Sequence, residues 1–297
     1  MRILIAANCK SGAAESSAEI SSTLRSHFTK YGITPHFFYI DENSREDIKN
    51  IIDNGNFDIV AVSGGDGTIS AIADFLAGND IAMGVIPSGT LNHFAKDLDI
   101  PLSTEESVKL LINGKPSLID TATVNGRTFI NNSSIGIYPI AVRKREIQQN
   151  RFKRNKWIAL FFGLLAVMRK FPVYAVRIKT ESETLLIRSP IVFVGNNEYS
   201  TELVTLGSRK TISGGKLSLY VARSNTRWKM IKLIITACFN RLNDSDELEL
   251  RLVDEVVIDS KKKSLSVSVD GEVETMTPPL SYKINRKSLK VILPDKG

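Results

Sequence analysis

One stretch constrains the fold more than any other: Ile59-Val60-Ala61-Val62-Ser63-Gly64-Gly65-Asp66-Gly67-Thr68. Ile59, Val60 and Val62 are apolar and β-branched, which suits a strand covered on both faces of a parallel sheet. Gly64, Gly65 and Gly67 then remove every Cβ that would hold a ligand away from the main chain. Apolar residues return at helical spacing in Ile69-Ser70-Ala71-Ile72-Ala73-Asp74-Phe75-Leu76. Strand, glycine loop and helix in that order leave N–H groups at a helix start, where the helix dipole favours an anion. A bare carboxylate repels a phosphate, so Asp66 is expected to act through a cation, a ribose hydroxyl or loop hydrogen bonds. The competing reading is a tight turn with no ligand, which rarely needs three glycines.

The flanking sequence repeats the alternation. Residues 2–7 read as a strand, Glu15 to Tyr31 as a helix with Ile20, Leu24 and Phe28 four apart, and Thr34 to Ile40 as a second strand. Ser44 reads as the N-cap of a helix over Arg45 to Ile52 with acidic residues in its first turn, ended by Asn54-Gly55. Ile81 to Ile86 is the next strand, and Leu91 to Leu98 and Thr104 to Ile112 are further helices. Strands alternating with helices imply a parallel sheet covered on both faces, with ligands at the carboxyl ends of the strands. Loops 8–12, 63–68 and 87–92 all fall at that edge. Thr90 offers a hydroxyl and Asn92 an amide suited to phosphate or ribose, or else Ser88 and Thr90 cap a helix.

From about Lys115 the texture changes to short strands. Ile119 to Val124 is followed by the hairpin signal Asn125-Gly126 and a strand from Arg127 to Ile137. Further strands are expected at Val173–Thr180, Thr184–Gly195, Leu217–Ala222, Leu248–Leu252, Glu255–Ile258, Leu265–Val269, Glu272–Thr275, Ser281–Asn285 and Ser288–Leu293. This implies an antiparallel sandwich or barrel. Between them, Arg143, Lys144, Arg145, Arg151, Lys153, Arg154 and Lys156 precede the apolar run Trp157 to Met168, closed by Arg169-Lys170. Twelve such residues are too few to span a bilayer. They fit a helix at a membrane interface or the lip of an acyl-chain pocket, and equally a buried helix beside a solvated basic face. A weaker copy of the pattern, Arg227 to Ile235, reads as a core helix.

Composition sets outer bounds. The 297 residues suggest two domains. A formal charge of +7 favours anionic partners: nucleotide, nucleic acid or an anionic membrane surface. No aromatic-basic interleaving of an RNA-binding module occurs, which argues against nucleic acid. Cys9 and Cys238 lie far apart and read as reduced thiols of a cytoplasmic protein. No apolar run approaches the length of a transmembrane helix. His27, His36 and His93 share no ligand spacing, so zinc chemistry is not expected.

Three motifs together carry a family resemblance. Gly64-Gly65-Asp66-Gly67-Thr68 resembles the nucleotide loop of the diacylglycerol kinase and sphingosine kinase catalytic-domain family, a loop that NAD kinases and phosphofructokinases share in related form. Pro87-Ser88-Gly89-Thr90-Leu91-Asn92-His93-Phe94-Ala95 resembles the second signature of the lipid kinases. Asn8-Cys9-Lys10-Ser11-Gly12 resembles their opening phosphate loop, with Cys9 where proline is usual. The resemblance implies an α/β plus β fold. Residues 1–122 would form a parallel-sheet nucleotide-binding domain, phosphofructokinase/NAD-kinase-like, to which 288–294 return. Residues 123–287 would form a lipid-binding antiparallel β-sandwich. It implies ATP bound by Asn8, Lys10, Ser11, Gly12, Gly64, Gly65, Asp66, Gly67, Thr68, Gly89, Thr90 and Asn92, with Mg2+ arriving on the nucleotide.

The segment Phe129 to Ile137 resembles the family's crossover between domains, where Asn131 and Asn132 either face the cleft or satisfy local backbone. Ser266 to Glu274 resembles the segment that carries the family's candidate base. Read by itself, Asp270-Gly271 is equally a hairpin turn. The expectation names Asp270 as base and Glu272 as fallback or partner, because phosphoryl transfer needs an acceptor hydroxyl partly deprotonated. One departure stands out: Gly214 occupies the position of an aspartate that in relatives joins a structural magnesium site, which puts that metal in doubt. The expected activity is an ATP-dependent lipid kinase, cytoplasmic and peripherally membrane-associated, with a homodimer among the assemblies allowed. NAD kinase is the enzymatic alternative, which Pro87 to Asn92 and the basic-apolar region 143–171 fit poorly. A non-catalytic nucleotide or lipid sensor is the alternative of another class.

Overall fold

The computed structural model describes residues 1–8, 17–41, 44–136, 173–199, 209, 211–222, 226, 228 and 248–295. Cys9, Lys10, Ser11 and Gly12, the basic-apolar region 138–171 and the stretch 229–235 lie outside the described residues. The chain divides into two compact units, Met1–Thr121 with Arg286–Gly297, and Ala122–Asn285.

The first unit is a parallel α/β layer structure. Its elements are β1 (Ile3–Asn8), α1 (Ser17–Thr29), β2 (His36–Ile40), α2 (Arg45–Asn54), β3 (Ile59–Gly64), α3 (Asp66–Leu76), β4 (Ala82–Pro87), α4 (His93–Asp97) and α5 (Thr104–Asn113). The strands lie in the order β2-β1-β3-β4, all parallel, and Val291 near the C-terminus pairs in parallel with Met83 of β4. β3 and β4 are buried throughout, as continuous apolar runs in a parallel sheet require. α3 buries Ile69, Ile72, Ala73 and Leu76, and each large aliphatic so covered contributes about 1.5–3 kcal/mol. On the other face of the sheet Leu24 and Phe28 of α1 and Val108 and Leu111 of α5 complete the core with Ile3, Ile5, Ile59 and Ala61.

Two local expectations change. Ser44 does not cap α2 with its side chain; its hydroxyl donates to the Asp41 carboxylate and accepts from the Asp41 N–H. The working cap belongs to Ser103, which accepts from the Glu106 N–H at the start of α5. α4 begins only at His93, because Asn92 sits in the left-handed region at φ 50° and turns its side chain back to Gly89.

The second unit is a sandwich of antiparallel strands. β5 (Lys115–Val124) enters it at Ala122, and Asn125-Gly126, both at positive φ, turn the chain into β6 (Arg127–Phe129). β7 (Asn132–Gly136), β8 (Tyr174–Lys179), β9 (Thr184–Ser189), β10 (Ile191–Asn196), β11 (Leu217–Ala222), β12 (Leu248–Val253), β13 (Glu255–Ser260), β14 (Leu265–Val269), β15 (Glu272–Met276) and β16 (Leu280–Leu293) follow. One sheet runs β12-β11-β10-β7-β14-β15. Opposite it, β13 pairs with β8 and with the first part of β16, and β8 pairs with β9. Ile135, Val192, Val194, Leu219 and Val267 meet Val176, Ile178, Val256, Leu280 and Tyr282 in the core. Burial pushes the Tyr282 phenol far above its ordinary range, so it stays neutral and pairs with Ser133 at 3.2 Å.

Strand breaks differ from the sequence expectation in physically readable ways. The run Thr184–Gly195 is two strands, because Pro190 interrupts the ladder and β9 and β10 join different partners. The run Arg127–Ile137 breaks at Ile130-Asn131, whose amides are claimed from outside the sheet. Ser281–Asn285 and Ser288–Leu293 form one strand, β16, with Lys287 at φ 50° inside it. The Lys287 N–H is satisfied by the buried Asp120 carboxylate at 2.8 Å, so the ladder continues past the bulge.

Candidate functional site

In the first unit Asn8 and the two later motifs meet at the carboxyl ends of β1, β3 and β4. Ser63 pairs with Ile86 and Gly64 with Pro87, so the loops that follow start side by side. The Ser88 N–H donates to the Gly64 carbonyl at 3.0 Å. Gly65 and Gly89 then touch through main chain: a Cβ built on Gly89 would lie 2.6 Å from the Gly65 Cα. Any side chain at Gly89 would push the two loops apart. The Asn92 side chain grips Gly89 on both sides, accepting from its N–H at 3.0 Å and donating to its carbonyl at 2.9 Å. Asn8, at the end of β1, donates from Nδ2 to the Thr68 hydroxyl at 2.9 Å.

Asp66 is the first residue of α3, and one of its oxygens accepts the Phe94 N–H at 3.1 Å. Of the three roles left open for this carboxylate, loop hydrogen bonding is the one seen; it ties α4 to the glycine loop. The first helical bond of α3 is Ile69 N–H to the Gly65 carbonyl at 3.0 Å. The amides of Asp66, Gly67 and Thr68 precede it and have no intrahelical acceptor. They belong to a partly exposed segment that α3 backs with its dipole. Thr90 is exposed at the same edge. Chemically, main-chain amides at a helix start can take phosphate oxygens, and Asn8, Thr68, Thr90 and Asn92 are the polar side chains around them. Lys10, Ser11 and Gly12 lie outside the described residues.

In the second unit the Asp270 carboxylate is an internal clamp. Oδ2 accepts the Ile130 N–H at 2.8 Å, and Oδ1 accepts the Asn131 and Asn132 N–H groups at 2.8 and 2.9 Å. The Asp270 N–H donates to the Asn132 carbonyl at 2.8 Å. The Ile130 carbonyl accepts in turn from Asn196 Nδ2 at 2.9 Å and Arg209 Nη1 at 2.7 Å. Asp270 has φ 47° and Gly271 φ 91°, so the pair also forms the hairpin turn between β14 and β15. The hairpin reading of Asp-Gly holds, and the carboxylate carries a second task that the sequence reading did not name, the clamp on residues 130–132. Glu272 begins β15, half exposed, with Arg127 Nη2 at 3.4 Å from its Oε2.

Sequence reasoning missed Arg127, Phe94 and the amides of residues 130–132. An amide acceptor has no signature of its own, and Arg127 stands in the sequence only as the residue after a hairpin turn. Among the described residues, the surroundings of Gly214 do not fit the structural metal that the resemblance implies. A Cβ at Gly214 would meet Thr211 Cγ2 at 2.7 Å and Asn197 Oδ1 at 3.3 Å, so a longer side chain there is crowded. Among the described residues no group of three or more His, Cys, Asp and Glu could hold a metal ion. Nor, among them, is any helix long and apolar enough to cross a membrane.

Residues 2–124, which hold the glycine loop and both flanking motifs, match the diacylglycerol kinase catalytic domain. Over those residues the chain resembles that family. A diacylglycerol kinase of Staphylococcus saprophyticus is 32% identical over 83 residues, 27% of either chain. An uncharacterised protein of Synechocystis, sll0036, is 26% identical over 240 residues, which cover 79% of this chain and 54%, about half, of that longer one. The crystal structure of a diacylglycerol kinase from Bacillus anthracis superposes with a TM-score of 0.72 at 18% identity, over 99% of this chain and 97% of that one. The fold is therefore that of the diacylglycerol kinases across the whole chain: a parallel-sheet domain followed by an antiparallel β-rich one.

Proposed function

We propose that the chain is an ATP-dependent lipid kinase that transfers the γ-phosphoryl group of ATP to a hydroxyl of a diacylglycerol-like lipid. The observation that carries the reading is the main-chain contact of Gly65 with Gly89, inside a diacylglycerol kinase catalytic domain. It leaves a backbone cradle with no side chain in the way, at a helix start suited to phosphate. In this reading the amides of Asp66, Gly67 and Thr68 take phosphate oxygens. Asn8, Thr68, Gly89, Thr90 and Asn92 shape the rest, and the family resemblance adds Lys10, Ser11 and Gly12 as nucleotide-binding residues. Magnesium bound to the nucleotide screens the phosphate charge.

The acceptor end divides between two carboxylates. Asp270 has both oxygens engaged by amides, so its part is to hold the segment 130–132 and fix the turn. Glu272, two residues on and half exposed, then takes the acceptor proton. The sequence expectation weighted them the other way; the three amide bonds are the reason for the exchange of roles. The basic-apolar region 143–171 supplies peripheral contact with an anionic membrane surface, at about 1 kcal/mol per basic residue near the surface. The test supplies γ-labelled ATP with magnesium and either a total lipid extract doped with dioctanoylglycerol or NAD. Label in an organic-soluble phospholipid is the expected result. Label in NADP, or in neither acceptor, overturns the reading.

A further inference from the structure

Arg127 is placed with unusual care for a residue next to a hairpin turn. Asn125 at φ 48° and Gly126 at φ 84° make a two-residue turn whose geometry matches the strand twist, which fixes where Arg127 starts. Val124 is its cross-strand partner. The side chain is only 12% exposed. Its guanidinium reaches two glutamates: Nη2 lies 3.4 Å from Glu272 Oε2, and Nε lies 3.5 Å from Glu274 Oε1. Residues two apart on a strand share a face, so Glu272 and Glu274 both present to Arg127. Three residues beyond Arg127 the same segment gives its amides to Asp270. One short stretch of chain, 127–132, therefore grips both acids of the turn.

Among the described residues, these charged groups stand near Glu272. From β6 comes Arg127; from its own strand, Glu274; from the turn before it, Asp270, whose charge is absorbed by three amides. The facing strand β14 sets Val269 opposite Glu272 and Val267 opposite Glu274, so it adds no charge. A fixed, largely desolvated guanidinium favours the ionised form of a carboxylate beside it, and a like charge two residues away opposes that. A planar fork reaches two carboxylates at once, which a lysine ammonium does less well.

We propose that Arg127 is a positioning residue for the phosphoryl transfer: it aims Glu272 and keeps it ionised, against the opposing charge of Glu274. The proposal rests on Glu272 being the proton acceptor. Its test is the pH profile of kcat for lipid phosphorylation, using the full chain, Mg-ATP and the doped lipid extract. Arg127→Met moves the acid limb to higher pH and lowers kcat near neutrality about tenfold, with KM for ATP changed less than about twofold. Arg127→Lys restores part of the limb's position. Glu274→Gln moves the limb the opposite way, to lower pH, and decides the matter if Arg127→Met fails to fold. An unmoved acid limb in Arg127→Met, or in Glu274→Gln where only that variant folds, overturns the proposal while leaving Glu272 as acceptor. Full activity in Glu272→Gln overturns the acceptor assignment itself, and the proposal with it.

Discussion

Asp66 and Asp270 each precede a glycine, and each closes a loop by accepting backbone N–H groups, but the two loops are left in different states. Asp66 accepts one amide, from Phe94, and the amides at the start of its own helix have no intrahelical acceptor. Asp270 accepts three, from Ile130, Asn131 and Asn132, so the amides around it are consumed by the protein. The first loop keeps its hydrogen-bonding capacity for a ligand. The second spends the same capacity on rigidity, which is why the proposed reading gives the acceptor proton to the neighbouring Glu272 instead. Two Asp-Gly pairs thus serve opposite ends, and the count of accepted amides tells them apart.

Glu272→Gln should sharpen the comparison most. As the proton acceptor it should lose about 10²–10⁴-fold in kcat with ATP affinity nearly unchanged, because the change is close to isosteric and removes only the basic oxygen. Next is Asp270→Asn. An amide replaces one accepting oxygen with a donor that faces a buried N–H, so stability should fall by about 2–4 kcal/mol in urea unfolding. A loss under about 0.5 kcal/mol would mean the turn alone matters, since Asn-Gly turns as well as Asp-Gly. Asp66→Asn should do the reverse. With a single amide to satisfy, it should keep stability within about 1 kcal/mol while steady-state turnover falls about 10- to 100-fold. The smallest effect is expected for Asn92→Ala. Losing the grip on Gly89 and placing alanine in the left-handed region should cost about 1–2 kcal/mol, read from the melting temperature.

The two regions also differed in how much the sequence revealed. Gly64, Gly65 and Gly67 after a β-branched run have few physical explanations, so the strand-loop-helix unit and the meeting of loops 63–68 and 87–92 at one sheet edge could be read directly. The sandwich was legible as alternation and turns, though Pro190 and the bulge at Lys287 moved its strand ends. The clamp at Asp270 was not legible. Its partners are main-chain amides some 140 residues away, which carry no side-chain signature, and Asp-Gly satisfies a turn and a clamp equally. Arg127 was hidden for a related reason: its meaning lies in strand register, which pairs β5 with β6 and β14 with β15 only once the fold is formed.

The contrast between open and filled amides is the centre of the account, and hydrogen exchange resolved to single amides tests it directly. With the full chain and Mg-ATP added, the amides of Asp66, Gly67 and Thr68 should slow sharply. Those of Ile130, Asn131 and Asn132 should exchange slowly from the outset and change little on adding nucleotide. Fast, nucleotide-insensitive exchange at residues 66–68, or fast exchange at residues 130–132 in the free protein, would contradict it.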